Sequence, residues 1–134
     1  MPTYLLDTNA VSDIVRDHPK VRARLRTQTD PKVTTVITHG EIRYGLERLP
    51  PGKKKRDLEM KIKSVLKVLP VEPVTDAVAE EYGRLKRALE LQGISLQDND
   101  LWIACAAKIL GATLVSRDQI FSQIPGLQVE DWTK

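Results

Sequence analysis

Four acidic residues occupy positions at which an α/β protein could bring their side chains together. Asp7 and Asp118 each follow an apolar segment of the kind that forms a buried strand, while Glu41 and Asp100 lie near predicted helix starts. Carboxylate oxygens are the ligands that hard divalent cations such as Mg²⁺ or Mn²⁺ prefer. The first question is therefore whether the fold gathers these four carboxylates at one site.

Each of these acids also has an explanation that involves no chemistry. Thr38 and Glu41 have the spacing of a helix capping box, and Asp100 suits the positive end of a helix dipole. Asp7 and Asp118 could serve as turn residues. A shared site is nevertheless distinctive, because two carboxylates about 4 Å apart repel by roughly 4 kcal/mol at an effective dielectric constant near 20. Several of them in one place indicate a bound cation.

Alternating strands and helices predict a single α/β domain over residues 1–134, with a mainly parallel sheet of about five strands flanked by helices. The predicted strands cover 3–6, 32–38, 68–71, 112–116 and 127–130. The predicted helices cover 10–15, a segment from 18–19 onward, 38–49, 53–69, 75–92, 100–110 and 119–123.

The predicted sheet decides which acids can meet. In a parallel sheet, strand ends and the starts of the following helices share one edge, so Asp7, Glu41 and Asp118 should face the same crevice. Asp100 joins them only if the loop before its helix brings that helix start to the same edge. Thr8 and Asn9 are predicted to cap the helix after Asp7.

Other kinds of active site find little support. The two histidines and the single cysteine, Cys105, lack the spacing of a zinc site, and no Ser-His-Asp set or glycine-rich phosphate loop is present. Cys105 lies in an apolar helix and is predicted to be buried and unreactive.

The composition is that of a soluble globular chain, with 134 residues, a net charge of +3 and a pI of about 9.1. No secretory signal and no apolar run long enough to span a bilayer is seen, so the expected compartment is the cytoplasm, without a membrane. Several basic clusters, such as Lys53–Arg56, are ordinary for solvated surfaces. Next to an acidic metal site, they would also suit a polyanionic substrate.

Four segments together resemble the PIN domain, and in particular the VapC toxins of bacterial and archaeal toxin–antitoxin pairs. The likeness spans essentially the whole chain. The segments that carry it are Leu6-Asp7-Thr8-Asn9, Glu41-Ile42-Arg43-Tyr44-Gly45, Asn99-Asp100-Leu101-Trp102-Ile103-Ala104 and Leu114-Val115-Ser116-Arg117-Asp118-Gln119-Ile120-Phe121.

The resemblance implies a metal-dependent endoribonuclease that uses Mg²⁺ or Mn²⁺. Asp7, Glu41 and Asp100 would form its acidic core, and Asp118 would be a fourth, more variable member. Asp100 is preferred over Asp98 because it directly precedes the Leu-Trp-Ile-Ala run. The supporting polar groups would be Thr8, Asn9 and Ser116.

The implied reaction is hydrolysis of an RNA phosphodiester by a metal-activated water. Asp7 and Asp100 would bind the ion directly, and Arg43 and Arg117 would hold the RNA backbone. The resemblance also implies a homodimer and a VapB-like antitoxin, which would occupy a groove formed by residues 42–69.

Two competing interpretations remain at this stage. Phosphatases of the haloacid dehalogenase type also end their first strand in Asp, but they need a second Asp where this chain has Asn9. A degenerate PIN-like module that binds RNA or protein without cutting is the alternative from another class. The presence of all four acids counts against that alternative.

Overall fold

The computed structural model of the chain describes residues 3–134, along which strands alternate with helices. The strands are β1 (Tyr4–Leu6), β2 (Lys32–Thr35), β3 (Val71–Glu72), β4 (Thr113–Val115) and β5 (Val129–Glu130). The helices are α1 (Thr8–Val15), α2 (Pro19–Thr27), α3 (Val36–Glu47), α4 (Lys53–Lys67), α5 (Asp76–Leu91) and α6 (Asp98–Leu110), and a 3₁₀ helix covers Gln119–Gln123. Within this part of the chain, no helix combines the length and apolar character needed to cross a membrane.

The five strands form one sheet in the order β3-β2-β1-β4-β5, and every neighbouring pair is parallel. The predicted α/β fold with a mainly parallel sheet of about five strands is therefore confirmed. Strand β1 is central: Tyr4 pairs with Lys32 of β2 on one side and with Thr113 of β4 on the other. The chain thus leaves β1 toward one half of the sheet and later returns to fill the other half.

Helices cover both faces of the sheet. Since successive residues of a strand point to opposite faces, neighbouring residues of β1 enter different cores. Leu5 packs into a core with α5 and α6, whereas its neighbour Leu6 packs into a second core with α1 and Trp132. Neither leucine is exposed to solvent. This double burial explains why the first strand reads as a continuous apolar run in the sequence.

Helix α5 begins and ends where the sequence predicts. The hydroxyl of Thr75 accepts a hydrogen bond from the backbone N–H of Val78 at 3.3 Å, which caps the first turn. Gly93 follows the last turn with φ of 71°, a conformation that glycine adopts without steric strain.

The second strand is shorter than predicted, and its helix begins earlier. β2 ends at Thr35 rather than at residue 38, and Thr35 caps α3 by accepting a hydrogen bond from the N–H of Thr38 at 3.1 Å. The β-branched run that follows favours a strand, but this cap and the packing of α3 override that weak preference. Glu41 therefore lies in the second helical turn, and the predicted capping box of Thr38 and Glu41 is wrong.

Two other helices also begin earlier than predicted. α1 begins at Thr8, and its cap is Asp7 itself rather than Thr8 or Asn9. α6 begins at Asp98, two residues before the predicted start at Asp100. In both cases several adjacent polar or acidic residues could cap the helix, so the sequence alone does not fix the residue at which the helix begins.

Helix α4 is attached to the protein more loosely than its sequence pattern suggests. It ends at Lys67 rather than residue 69, and none of its residues is buried. Its predicted inward-facing side chains, such as Leu58 and Ile62, are only partly covered. The strand predicted at 68–71 is displaced to β3, and Leu69, which lies between α4 and β3, is buried.

The central strand should tolerate truncation poorly. We expect Leu5→Ala to lower the free energy of unfolding by about 3–5 kcal/mol, because the site is fully enclosed by both neighbouring strands and helices. Urea denaturation measures this change. Leu91→Ala is the matched control, since Leu91 is 71% exposed and its truncation should have little effect. Equal destabilisation by the two substitutions would contradict the assignment of β1 as the central strand.

Candidate active site

A cleft of about 400 Å³ opens at the edge of the sheet where the parallel strands end. It lies where the chain order reverses between β1 and β4, the usual position of a ligand site in an open α/β sheet. All four predicted carboxylates line it. Its lining residues are Asp7, Thr8, Asn9, Glu41, Ser95, Leu96, Gln97, Asp100, Asp118 and Ile120.

Asp7 lies at the base of this cleft and is fixed by the turn from β1 into α1. Its Oδ1 accepts a hydrogen bond from the N–H of Ala10 at 2.8 Å, and its backbone N–H donates to the carbonyl of Val115 in β4. Only 3% of the residue is exposed. The carboxyl group therefore combines a structural role, as a helix cap, with a deeply buried position at the lining of the cleft.

Burial raises the pKa of Asp7 from its ordinary value of 3.8 to about 6. Hydrogen bonds from Ser116 and from the N–H of Ala10 act in the opposite direction, and the charges of Asp100 and Asp118 raise the pKa further. The loss of hydration outweighs these two bonds. The site therefore holds a carboxylate whose negative charge is unfavourable until a positive charge approaches.

Glu41 is held by Thr8, which in turn contacts Thr38. The hydroxyl of Thr8 donates to Oε1 of Glu41, and the hydroxyls of Thr8 and Thr38 lie 3.1 Å apart. These contacts join the start of α1 to the second turn of α3. Thr8, which was predicted as a supporting polar group, thus contacts one of the predicted acids directly.

Asp100 does reach the same edge, which the sequence left open. It lies in the first turn of α6 and is partly buried in the cleft. Its pKa is raised, first by burial and then by the charges of Glu41 and Asp118. That mutual electrostatic effect places the three acids in one region.

Asp98 points away from the cleft, although it precedes Asp100 by only two residues. Its Oδ1 accepts hydrogen bonds from the hydroxyl of Tyr82 at 2.9 Å and from the ammonium of Lys86 at 3.4 Å, and both lower its pKa. Residues two positions apart on a helix are separated by about 200° around its axis. The structure therefore separates the roles of these two acids.

Ser116 and Asp118 shape the cleft wall after β4. The buried Ser116 hydroxyl accepts the N–H of Asp118 at 3.0 Å, and Oδ1 of Asp118 accepts the N–H of Ile120 at 3.1 Å. Asp118 is exposed to solvent, as is Asn9 on the opposite side. All the residues predicted for the site except Ser116 line the cleft, and Ser116 acts on the site by lowering the pKa of Asp7.

The two arginines predicted to hold RNA do not line the cleft. Arg43 pairs with Glu59 of α4 at 2.8 Å and with Glu47 at 3.3 Å. Arg117 lies 3.7 Å from Asp13, a buried acid of α1. The guanidinium groups of both arginines are therefore engaged by acids of the protein itself.

The donor set has the chemistry of a hard-cation site, but the side chains do not converge on one point. Within residues 3–134, no three carboxylate, imidazole or thiol groups are arranged to hold a single ion as they stand. Asp7 and Glu41 are held by hydrogen bonds, whereas Asp100 lies partly exposed at the wall. Coordination would require the more exposed acids to turn toward Asp7.

Sequence reasoning missed several residues near this site. Ser95, Leu96 and Gln97 form one wall of the cleft, although their segment reads only as a polar loop before a helix. Asp13 was also overlooked. Its signal was an acid within the mostly apolar run Ala10–Val15, a position that suggests a buried charge with a partner.

The sequence profile of the PIN domain matches residues 4–127. The chain belongs to the PIN-domain family. Among its relatives, Ribonuclease VapC1 of Haemophilus influenzae is 32% identical over 138 residues, covering 98% of both chains. Ribonuclease VapC2 of Rickettsia felis is 30% identical over 135 residues, again covering 98% of both chains. The resemblance to the VapC proteins is thereby confirmed.

Solved structures resemble this PIN domain over nearly its whole length. The VapBC2 complex of Rickettsia felis, bound to a DNA fragment from its promoter, has a TM-score of 0.88 at 29% identity, covering 97% of this chain and 98% of that one. VapBC-1 of nontypeable Haemophilus influenzae has a TM-score of 0.85 at 30% identity, covering 98% and 99%.

Removing the charge of Asp7 should stabilise the metal-free PIN domain. The folded-state pKa of about 6 lies above the ordinary value of 3.8, so ionisation destabilises the fold increasingly between these pH values and fully above them. We expect Asp7→Asn to raise the free energy of unfolding by about 2–3 kcal/mol at pH 8 in a chelator, with the gain vanishing near pH 4. Asparagine can still accept the N–H of Ala10.

Denaturation of the wild type and Asp7→Asn across pH 4–8 would measure this difference. Glu80→Gln is the control, because Glu80 is exposed on α5 and its neutralisation should give no such pH-dependent gain. A lower stability of Asp7→Asn at pH 8 would show that the ionised carboxylate is favourably held.

Proposed function

We propose that this PIN domain is a metal-dependent endoribonuclease that acts as the toxin of a toxin–antitoxin pair. The observation that carries the proposal is that Asp7, Glu41, Asp100 and Asp118, from four separate parts of the chain, line one cleft. Relatives named ribonucleases support it. A further relative, the tRNA(fMet)-specific endonuclease VapC of Salmonella typhimurium, is 28% identical over 135 residues, covering 98% of this chain.

The electrostatics of the cleft favour a divalent cation as its cofactor. Burial and mutual repulsion raise the pKa values of Asp7 and Asp100, and a cation would reverse both effects. Mg²⁺ or Mn²⁺ suits an all-oxygen donor set. Asp7 and Asp100 would hold the ion, with Glu41 and Asp118 completing its surroundings directly or through water. Such an ion lowers the pKa of a bound water and neutralises charge on a phosphate.

The protein's own residues would set the geometry for this reaction. The N–H of Ala10 fixes the Asp7 carboxylate, and the hydroxyl of Thr8 fixes Glu41. Because these contacts precede any ligand, Asp7 and Glu41 would need little rearrangement when RNA arrives, whereas the more exposed Asp100 and Asp118 would turn toward them. The cleft is open to solvent, so nucleotides of a single strand or loop, whose bases are accessible, are the expected substrates.

The two acids at the start of α6 provide a sharp test. We expect Asp100→Asn to lower the rate of RNA cleavage at least about 100-fold, because the metal ion that activates the attacking water would lose one of its ligands. Asp98→Asn should retain nearly full activity, since Asp98 contacts Tyr82 and Lys86 outside the cleft. The measurement is cleavage of a labelled RNA over a range of Mg²⁺ and Mn²⁺ concentrations.

Asp7→Asn and excess chelator are the companion conditions, and each should abolish cleavage by folded protein. Expression of the wild type should arrest growth and degrade RNA, whereas Asp7→Asn should do neither. Cleavage that persists in chelator would contradict the metal requirement. RNA binding without cleavage at any metal concentration would instead identify a binding module.

A second groove is a candidate binding site for the proposed antitoxin. It has a volume of about 430 Å³ and lies between α1, α3 and α4, with Ile42, Leu46, Leu58 and Ile62 among its lining residues. Thr8 and Glu41 line both this groove and the acidic cleft, so a segment bound here would reach the proposed active site. We propose that a VapB-like antitoxin binds this groove, as the VapBC complexes among the solved relatives support.

Substitution of a residue that lines the groove should weaken antitoxin binding without affecting catalysis. We expect Leu58→Asp to weaken co-purification with a co-expressed VapB-like antitoxin, because a charge would face an apolar partner surface. Met60→Asp on the same helix is the control, since Met60 is 69% exposed and lies outside the groove. Equal retention of the antitoxin by both variants would exclude the groove.

We further propose a homodimer acting in the cytoplasm, where its RNA substrate would be. Apolar side chains at the end of α6 support self-association, because Ile109 and Leu110 are 44% and 42% exposed. Light scattering of the purified chain would measure its mass in solution.

A further inference from the structure

Asp13 is a buried acid that the proposed reaction does not use. It lies near the end of α1, and only 5% of it is exposed to solvent. Within residues 3–134, the one cationic group within 4.0 Å of its carboxylate is the guanidinium of Arg117, at 3.7 Å. Because a buried carboxylate without a positive partner is strongly destabilising, this contact accounts for how Asp13 can be accommodated.

Arg117 lies between two residues that shape the cleft. Ser116 on one side is buried and follows Val115, whose carbonyl accepts the N–H of Asp7, and Asp118 on the other side lines the cleft. The N–H of Asp118 donates to the Ser116 hydroxyl at 3.0 Å, so the segment 116–118 is already a tight turn. Because Arg117 lies within this turn, a contact that fixes its side chain also limits the orientations of Ser116 and Asp118.

The turn is attached to α1 at two places. At the start of the helix, the backbone N–H of Asp7, which caps α1, donates to the carbonyl of Val115, the residue directly before the turn, at 3.1 Å. Six residues later, roughly 9 Å along a helix axis, Arg117 pairs with Asp13. Two attachments fix the orientation of a turn, whereas one would leave it free to pivot.

We propose that the Asp13–Arg117 ion pair positions the turn 116–118, and through it Ser116 and Asp118, relative to Asp7. Arg117 is then a positioning residue rather than a contact to the RNA backbone. This inference rests on the proposed nuclease function for its catalytic consequence. Its structural content, the fixed turn, does not depend on that function.

The surroundings of Arg117 argue against a phosphate contact. Asp131 also lies within the electrostatic range of Arg117: burial raises its pKa, the hydrogen bonds of Thr133 lower it, and the charge of Arg117 adds to the lowering. The guanidinium therefore lies in the field of two acids, Asp13 and Asp131. Their negative charge reduces its attraction for a phosphate, while a pairing with buried Asp13 fixes its direction.

The test compares Arg117→Met, Arg117→Lys and Asp13→Asn with the wild type. Arg24→Met is the matched control, because Arg24 is 40% exposed, close to the 45% of Arg117, and its ion pair with Glu130 lies outside the cleft. Thermal unfolding first establishes that each variant is folded.

The direct readout is hydrogen exchange of the Asp118 amide in metal-free protein. We expect its protection to fall about tenfold in Arg117→Met and in Asp13→Asn, since the turn would open more often. Arg117→Lys should restore most of the protection, and Arg24→Met should not change it. This measurement needs neither metal nor RNA.

If the turn is displaced, turnover and metal binding should be impaired while the affinity for RNA is retained. We expect kcat to fall about 10–100-fold and the Mn²⁺ dissociation constant, measured by calorimetry, to rise about tenfold in both Arg117→Met and Asp13→Asn. KM for RNA should stay within about twofold. The double variant should be no worse than either single variant, because both remove the same contact.

A direct RNA contact predicts a different pattern, which would overturn the proposal. Arg117→Met would then raise KM and reduce the salt dependence of RNA binding by about one phosphate contact, while Asp13→Asn would change neither. Unchanged exchange of the Asp118 amide in a folded Arg117→Met would overturn it as well. If Arg117→Met does not fold, the same criteria apply to Asp13→Asn and Arg117→Lys.

Failure of the proposed function would be distinguishable. A wild type that neither binds Mn²⁺ nor cleaves RNA would contradict the nuclease assignment, while loss of Asp118 amide protection in the variants would still support the fixed turn. Cleavage by the wild type with unaltered amide protection in all variants would contradict only the positioning role.

Discussion

The Asp7 carboxylate lies at the end of a central strand, where water reaches almost none of it. Its loss of hydration is offset only in part by the N–H of Ala10 and the hydroxyl of Ser116, so the folded protein holds an acid that is reluctant to ionise. The neighbouring acids increase this reluctance instead of relieving it. A protein built only for stability would place an uncharged cap at this position. The cleft is therefore an arrangement that becomes favourable when positive charge enters it, and the proposed metal chemistry depends on that imbalance.

The parallel sheet explains how acids so far apart in the chain meet. β2, β1 and β4 are neighbours, and each is followed by a segment that contributes to the cleft: α3 with Glu41, the turn with Asp7, and the turn with Asp118. Asp100 arrives differently, because its helix follows a loop rather than a strand. The packing of α6 against α5 and beneath β1 brings its first turn to the same edge. One edge of the sheet thus organises three of the acids, and helix packing supplies the fourth.

Much of this arrangement can be predicted from the sequence. The remainder cannot, and the reasons are physical. Strong apolar runs and glycine stops predicted the sheet, α5 and the end of α6, because burial and positive φ leave clear marks in a sequence. The start of α3 was mispredicted because Thr35 and Thr38 are equally good caps, and only tertiary packing chooses between them. The partner of Arg117 was also out of reach, since 104 positions separate it from Asp13 and no periodicity links them. The distances among the acids depend on side-chain contacts such as that of Thr8 with Glu41, which sequence patterns do not encode.

Helix α4 contrasts with the rigid centre of the protein. None of its residues is buried, and besides the partly buried Ile62 and Val65 it is held by ion pairs with neighbouring elements, such as Lys61 with Asp17 and Lys55 with Glu47. Exposed ion pairs are weak and are screened by salt. Salt that screens these pairs should therefore weaken the attachment of α4 more than it weakens the apolar packing of the central sheet. Because α4 also forms one wall of the second groove, a segment bound in that groove would cover apolar side chains that the folded chain leaves only partly buried.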